Sequence, residues 1–184
     1  MAELAAIVRD KSDQRLPATA RAALMILVRQ IEAVSAEIAA LDTALRKENK
    51  ASELGPRLET IPSVGPVIAS ALRARVTDAK LFENGRHLSA WIGLVPENDS
   101  TGGKVRQNGL SKKGDRYLRS LLVNGAMAVV QQAQKRPDKN PWVTKLLARM
   151  TAKQAAISIA NKTARIAWAI REEHAVRRHG LRRC

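Results

Sequence analysis

The stretch LMILVRQIEAVSAEIAALDTAL, residues 24–45, decides the predicted fold of this chain. Its apolar residues recur at alternating spacings of three and four, the heptad pattern of a coiled-coil helix. They are Leu24, Leu27, Ile31, Val34, Ile38, Leu41 and Leu45. Pro17 suits a first helical position, so we expect a long helix between it and a polar break at 48–57. That helix either packs on its own domain or pairs with another chain, and the narrow seam favours pairing.

The composition predicts an all-α fold, in which the coiled-coil helix precedes a compact helical domain. Hydrophobic residues make up 45% of the 184 and aromatic residues only 3%, so Ala, Leu, Ile and Val must form the core. Residues 1–16 are expected to be a tail or the end of a missing element. After the coiled-coil helix we expect helical segments within 58–94, 111–135 and 142–178, with a short hairpin in a glycine-rich loop at 95–110. The predicted divisions are 1–54 for the tail and coiled coil, 55–178 for the domain, and 179–184 for a basic tail.

The charge predicts a polyanionic partner. Lys and Arg number 32 against 17 Asp and Glu, a formal net charge of +15, which favours nucleic acid first and an anionic membrane second. No apolar run approaches the roughly 18 residues that span a bilayer, and the N-terminus lacks a signal-peptide core. Three His and the single Cys184 show no zinc-ligand spacing, so we expect no metal site in this chain and a reducing, cytoplasmic setting.

Residues 58–72, LETIPSVGPVIASAL, predict two helices joined by a tight turn. We expect Gly65 to take a backbone shape closed to bulky residues and Pro66 to begin the second helix. Main-chain N–H groups at that helix start can hold a phosphate oxygen. This segment resembles the helix-hairpin-helix element, although Ser63 stands where Gly is usual. We therefore predict DNA-backbone contact at Ser63, Val64, Gly65 and Val67, the alternative being an ordinary helix corner.

Residues 93–119 combine hydroxyls, glycines and cationic side chains, a mixture suited to phosphate chemistry. Ser100 is the candidate nucleophile, although no His in the loop can serve as its base and an ordinary loop serine is the alternative. The candidate phosphate ligands are Lys104, Arg106, Lys112, Lys113, Arg116 and Arg119, with a solvated basic face as the alternative. We expect Ser111 to cap the next helix. Trp91, Trp142 and Trp168 are expected in the core.

The segments WIGLVP at 91–96, STGGK at 100–104 and GLSKKGDRYLRSLL at 109–122 resemble the C-terminal domain of a bacterial transposase family. The resemblance extends over about residues 16–172, including 58–72 and 161–169. These enzymes pair that domain, which holds a catalytic serine, with an N-terminal RuvC-like domain that holds four metal-binding carboxylates. They move insertion sequences without the usual terminal repeats, and some use a structured bridge RNA as guide.

The resemblance implies a DNA strand-transfer domain in which Ser100 forms a transient phosphoserine link. It implies that a divalent metal, Mg²⁺, belongs to the RuvC-like domain, which this chain is expected to lack, so that activity alone is not expected. Expected partners are DNA, a guide RNA where one is used, and a second copy through residues 24–45, in the bacterial nucleoid. The alternative is a non-catalytic DNA- or RNA-binding scaffold, or a truncated transposase remnant.

Overall fold

A computed structural model describes residues 2–10, 12–13, 16–101, 104–111 and 113–179, without the side chains of 2, 4, 97–101, 104–109 and 177–179. Two compact units divide between Leu45 and Arg46. The elements are α1 (Ala2–Arg9), α2 (Ala18–Ala51), α3 (Leu54–Glu59), α4 (Pro66–Arg75), α5 (Gly85–Ile92), β1 (Pro96–Thr101), β2 (Lys104–Leu110), α6 (Arg116–Lys135), α7 (Pro141–Leu147) and α8 (Ala152–His179). Short 3-10 turns occupy Ala79–Leu81 and Pro137–Lys139. The predicted all-α class is confirmed, with one small hairpin inserted among the helices.

In the first unit, α1 packs along the beginning of α2. Val8 is only 7% exposed, and the guanidinium of Arg21 donates to the carbonyls of Ile7 and Val8 at 3.2 and 3.0 Å. An ion pair at 2.5 Å joins Arg9 to Glu32. Of the two expectations for 1–16, the plain tail is wrong for Ala2–Arg9, because this segment has an apolar residue to bury and α2 supplies the surface; the end of a missing element stays a prediction.

The predicted long helix is confirmed by α2, whose heptad residues lie largely on the surface. Ile31, Val34, Ile38 and Leu41 are 42%, 54%, 60% and 70% exposed. Apolar side chains in a continuous seam gain free energy when a second helix covers them. The pairing itself stays a prediction.

The second unit is built around the packing of α6 on α8. One face of α6 is buried at every third or fourth residue, at Leu118, Leu122, Ala126, Val130 and Ala133. The buried face of α8 is mostly alanine, at Ala155, Ala156, Ala160, Ala164 and Ala167. Small side chains let the two backbones approach closely, so the core needs few aromatic residues. This confirms the predicted use of Ala, Leu, Ile and Val.

The start of α6 corrects one predicted helix cap. Asp115, not Ser111, is the N-cap, and its carboxylate accepts a hydrogen bond from the Leu118 N–H at 3.0 Å. Both side chains can cap a helix, but the chain between them turns at Gly114, whose φ of 129° is incompatible with a helix. Consequently Lys113 precedes α6 rather than lying on the same helical face as Arg116.

The predicted helix over 142–178 is divided into α7 and α8. Thr151 and Gln154 form a reciprocal cap at the start of α8: the Thr151 N–H donates to Gln154 Oε1 at 3.0 Å, and the Gln154 N–H donates to Thr151 Oγ1 at 3.4 Å. A Thr followed three residues later by Gln is a known helix-start signal.

Arg171 of α8 fastens the end of α4 from the interior. It is 7% exposed, and its guanidinium donates to the main-chain carbonyls of Leu72, Val76 and Thr77. Burial lowers the pKa of Arg171 below its ordinary value. The Leu72 carbonyl also accepts the Val76 N–H at 3.0 Å, whereas the Val76 and Thr77 carbonyls lie beyond the last turn of α4, so the buried cation supplies their donor.

Candidate nucleic-acid interface

The residues of the turn between α3 and α4 differ in their exposure to solvent. The Ser63 hydroxyl is buried and hydrogen-bonded to the Thr163 hydroxyl at 2.5 Å, so that side chain contacts α8. The Val64 N–H donates to the Ile61 carbonyl at 2.9 Å and is used within the turn. Of the four positions predicted to contact DNA, Ser63 and Val64 are buried, Gly65 is partly exposed and Val67 is 41% exposed.

Gly65 has extended backbone angles and free space around the position of a side chain. Its φ of −102° and ψ of −177° are extended, and a Cβ added there would meet nothing within 4 Å. The expected special backbone shape is therefore wrong, because any residue can adopt these angles. Pro66 begins α4 as predicted, and no described side chain caps this helix start. The first-turn N–H groups consequently remain available to an anion.

Gly125 of α6 supports this turn from behind. A Cβ at Gly125 would lie 2.3 Å from the Ser63 carbonyl oxygen and 2.7 Å from Ile68 Cδ1. Only glycine lets α6 approach the turn so closely. This requirement could not be predicted from the sequence, since nothing local links position 125 to position 63.

The glycine-rich loop forms the expected hairpin. Strands β1 and β2 pair antiparallel, with Ser100 opposite Val105, Asp99 opposite Arg106 and Thr101 opposite Lys104. Lys104 and Arg106 therefore flank Val105, the residue paired with Ser100. The side chains of Ser100, Lys104 and Arg106, and all of Lys112, lie outside the described residues.

Two glycines and an arginine hold the base of the hairpin against the end of α5. Gly93 ends that helix with a φ of 81°, and Arg119 Nη1 donates to the Ile92 carbonyl at 2.9 Å. A Cβ at Gly114 would lie 2.2 Å from the Trp91 carbonyl oxygen. These contacts join the end of α5 to the segment that leads from the hairpin into α6.

The predicted phosphate ligands at this base have different surroundings. Arg116, the first residue of α6, and Lys113 are exposed, whereas Arg119 is half-buried and bound to the α5 carbonyl. Arg75 was not among the predicted ligands. Its half-exposed side chain lies over the Tyr117 ring, 5.6 Å from the ring centroid, and 3.6 Å from Asp115 Oδ2. No sequence pattern joins the end of α4 to the start of α6. Arg75 and Arg116 are the better candidates for phosphate contact.

Two tryptophans are less buried than expected. Trp91 and Trp142 are each 41% exposed, so their assignment to the core is wrong in part. Trp168 agrees with the prediction, because its half-buried indole donates to the carbonyls of Ala79 and Phe82 at 3.1 and 3.2 Å. Among the described residues no group of three or more His, Cys, Asp or Glu could hold a metal ion.

The turn, the hairpin and α6 fall within one stretch that matches a known family model. Residues 55–142 match the domain described as transposase of the IS116/IS110/IS902 family. The chain carries a transposase domain of this family. The predicted resemblance is therefore confirmed. In the part of the chain that the structure describes, no helix is long and apolar enough to cross a membrane.

Curated relatives of this transposase domain agree with that assignment. A "Probable family 20 transposase" of Pseudomonas aeruginosa is 40% identical over 156 residues, 84% of this chain and 46% of the relative. The "Transposase for insertion sequence element IS1111A" of Coxiella burnetii is 39% identical over 127 residues, 68% of this chain and 35% of the relative. A "Pilin gene-inverting protein" of Moraxella bovis is 29% identical over 119 residues, 61% of this chain and 35% of the relative. The chain therefore spans less than half the length of these relatives.

Proposed function

We propose that this domain binds DNA and carries the serine that cleaves and transfers strands during transposition of an insertion sequence. The observation that supports this most is the hairpin. Its register brings the backbone positions of Lys104 and Arg106 close to that of Ser100, and a few residues after the hairpin come Asp115, which pairs with Arg75, and the exposed Arg116. Cations around a phosphodiester stabilise the charge that builds up as phosphorus gains a fifth oxygen.

The reaction exchanges one phosphodiester for another. Ser100 Oγ loses its proton to a base, bonds to phosphorus, and displaces one sugar oxygen, which leaves as a hydroxyl after taking up a proton. The phosphoserine ester retains the bond energy, so a hydroxyl of another strand can attack it, release Ser100 and restore a phosphodiester. No outside energy source is needed.

We propose that a RuvC-like domain, in the same polypeptide or in a second protein, supplies the Mg²⁺ site that the resemblance implies. Four carboxylates would hold that ion, and its chemistry is charge stabilisation at phosphate oxygens. This chain contributes the serine and the DNA-binding surface.

The turn between α3 and α4 is proposed as a second contact with the DNA backbone. The open approach to Gly65 and the uncapped start of α4 suit a phosphate oxygen, as in a helix-hairpin-helix element. Ser63 and Val64 would shape the turn rather than touch the phosphate, since both are buried and the Ser63 hydroxyl and the Val64 N–H already have partners.

We further propose that the exposed heptad residues of α2 pair with a second copy of the chain as a coiled coil. The exposures of Ile31, Val34, Ile38 and Leu41 support this, because water would otherwise cover a continuous apolar seam. A structured guide RNA stays a prediction, tested by competition between folded RNA and DNA for the protein. Nucleoid association would follow from DNA binding.

Labelled branched DNA tests the chemistry. The chain is incubated with it in the presence of a complete family member whose own serine has been replaced. We expect a covalent protein–DNA adduct with the wild-type chain and with Ser111→Ala, and none with Ser100→Ala. If DNA binds in a salt-dependent manner without any adduct, the non-catalytic scaffold replaces the enzyme as the better description.

A further inference from the structure

An open cleft of about 910 Å³ lies between the beginning of α5, α7 and the middle of α8. Its lining combines cationic, aromatic and aliphatic side chains, principally Arg86, Trp142, Lys162, Arg165, Ile166 and Glu173. None of these residues belongs to the hairpin or to the turn proposed to hold DNA. The cleft therefore needs its own explanation.

The cleft has an excess of positive charge. Arg86, Lys162 and Arg165 are all exposed, and the one acid, Glu173, is paired with Arg57 at 2.6 Å. Tight packing holds the cationic elements together, since a Cβ on Gly85 would lie 2.9 Å from Arg165 Cα. Collecting like charges in one cleft costs stability, and an anionic ligand removes that cost.

The floor of the cleft offers an aromatic face. Trp142 is 41% exposed and Ile166 37%, and Lys162 Nζ lies 3.9 Å from the centroid of the Trp142 ring. An indole with an ammonium beside it suits a nucleotide, because the ring can stack on the base while the ammonium meets the phosphate. A duplex keeps its base faces inside the stack, so only an unpaired base can use this ring.

We propose that this cleft binds single-stranded nucleic acid, with one base stacked on Trp142 and the backbone phosphates held by Arg86, Lys162 and Arg165. On binding, Lys162 leaves the ring face to the base and turns to the neighbouring phosphate. The site is separate from Ser100 and would hold an unpaired strand while the hairpin meets the strand to be cut.

Fluorescence anisotropy with the full chain tests the proposal, using oligothymidylate and oligouridylate of about ten nucleotides over a series of salt concentrations. Trp142→Leu is expected to weaken binding on the order of tenfold with the salt slope unchanged, because it removes stacking alone. The double variant Lys162→Gln, Arg165→Gln is expected to lower the slope by roughly 0.7 for each cation. Lys153→Gln, an exposed lysine of the same helix outside the cleft, serves as control and should bind like wild type.

The outcomes separate the sources of the strand. Equal binding of the two oligomers, or preference for either one, supports the site and identifies DNA, RNA or both as its ligand. Wild-type affinity in both cleft variants overturns the proposal, as does failure of both oligomers to bind. The double variant alters only exposed side chains, so it keeps the test valid if Trp142→Leu does not fold.

A duplex DNA arm distinguishes this proposal from the function proposed above. Gly65→Ala should weaken duplex binding and leave oligomer binding unchanged, and the cleft variants should do the reverse. If the wild-type chain does not bind duplex DNA but binds the oligomers through the cleft, the proposed function is contradicted and the proposal for the cleft is supported.

Discussion

Substituting alanine for Gly65 tests whether this glycine is needed for ligand binding rather than for packing. Gly125, which is needed for packing, gives the comparison. Nothing lies within 4 Å of the added Cβ, and the backbone angles suit alanine. Alanine lowers the conformational entropy of the unfolded chain, which stabilises the folded protein by about 0.4–1 kcal/mol. Alanine is also a poorer N-cap than glycine, which destabilises the folded protein by a similar amount. The net change in unfolding free energy is expected within about 0.5 kcal/mol, or about 2 °C in Tm.

The same substitution at Gly125 is the matched control. Its Cβ would overlap the Ser63 carbonyl oxygen at 2.3 Å. Overpacking costs about 1–3 kcal/mol and strains the Ser63–Thr163 hydrogen bond, which outweighs the gain of about 1 kcal/mol in helix propensity. We expect a net loss of about 1–2 kcal/mol and a Tm lower by about 2–8 °C.

Thermal denaturation by circular dichroism and duplex binding by anisotropy are measured on both variants. For Gly65→Ala, the methyl group obstructs the phosphate, and losing one hydrogen bond to a charged group weakens binding about ten- to a hundredfold. A Gly65→Ala variant that is stable and binds duplex DNA like wild type would refute the phosphate contact. Equal destabilisation of the two variants would refute the packing argument.

Four further predictions follow from the contacts of single residues. Arg116→Gln should leave Tm unchanged and reduce the salt slope of duplex binding by roughly 0.9. Arg119→Gln should lower Tm, because the Ile92 carbonyl at the end of α5 loses its donor. Equal Tm values for the two variants would contradict this difference. Arg171→Met should cost about 2–4 kcal/mol of unfolding free energy in denaturant titrations, since it removes the guanidinium donor from the Val76 and Thr77 carbonyls; an unchanged midpoint would exclude that role. Thr151→Ala should cost about 1 kcal/mol in the same titration, and a cost near zero would argue against the capping box. Ile38→Asp should convert a dimer to a monomer in analytical ultracentrifugation at unchanged helicity, and a wild-type chain that is already monomeric would rule out the coiled coil.

The sequence predicted those features that depend on local patterns. The heptad spacing gave the long helix α2, and Pro66 gave the start of α4, because spacing and proline geometry act within a few residues. The hairpin followed from the glycine-rich loop. The break between α7 and α8 was missed although Thr151 and Gln154 carry a local signal, since the apolar pattern on both sides hid it.

Features that depend on contacts between distant segments were not predictable. The inward Ser63 hydroxyl depends on Thr163, one hundred positions away. The choice of Asp115 over Ser111 as a cap depends on how Gly114 packs on the end of α5. Trp142 is 41% exposed because it lines a cleft with residues of α5 and α8, which its apolar neighbours in the sequence do not indicate. For Ser100 itself the prediction came from resemblance, and the structure adds the register around it.

Peptide mapping by mass spectrometry tests the role of Ser100 most directly. The chain is combined with branched DNA and a serine-deficient complete family member, quenched in acid, digested with protease and nuclease, and searched for a peptide that carries a nucleotide. A nucleotidyl phosphate on Ser100 is the predicted result. An adduct on another residue, or adduct formation that persists after Ser100→Ala, would contradict it.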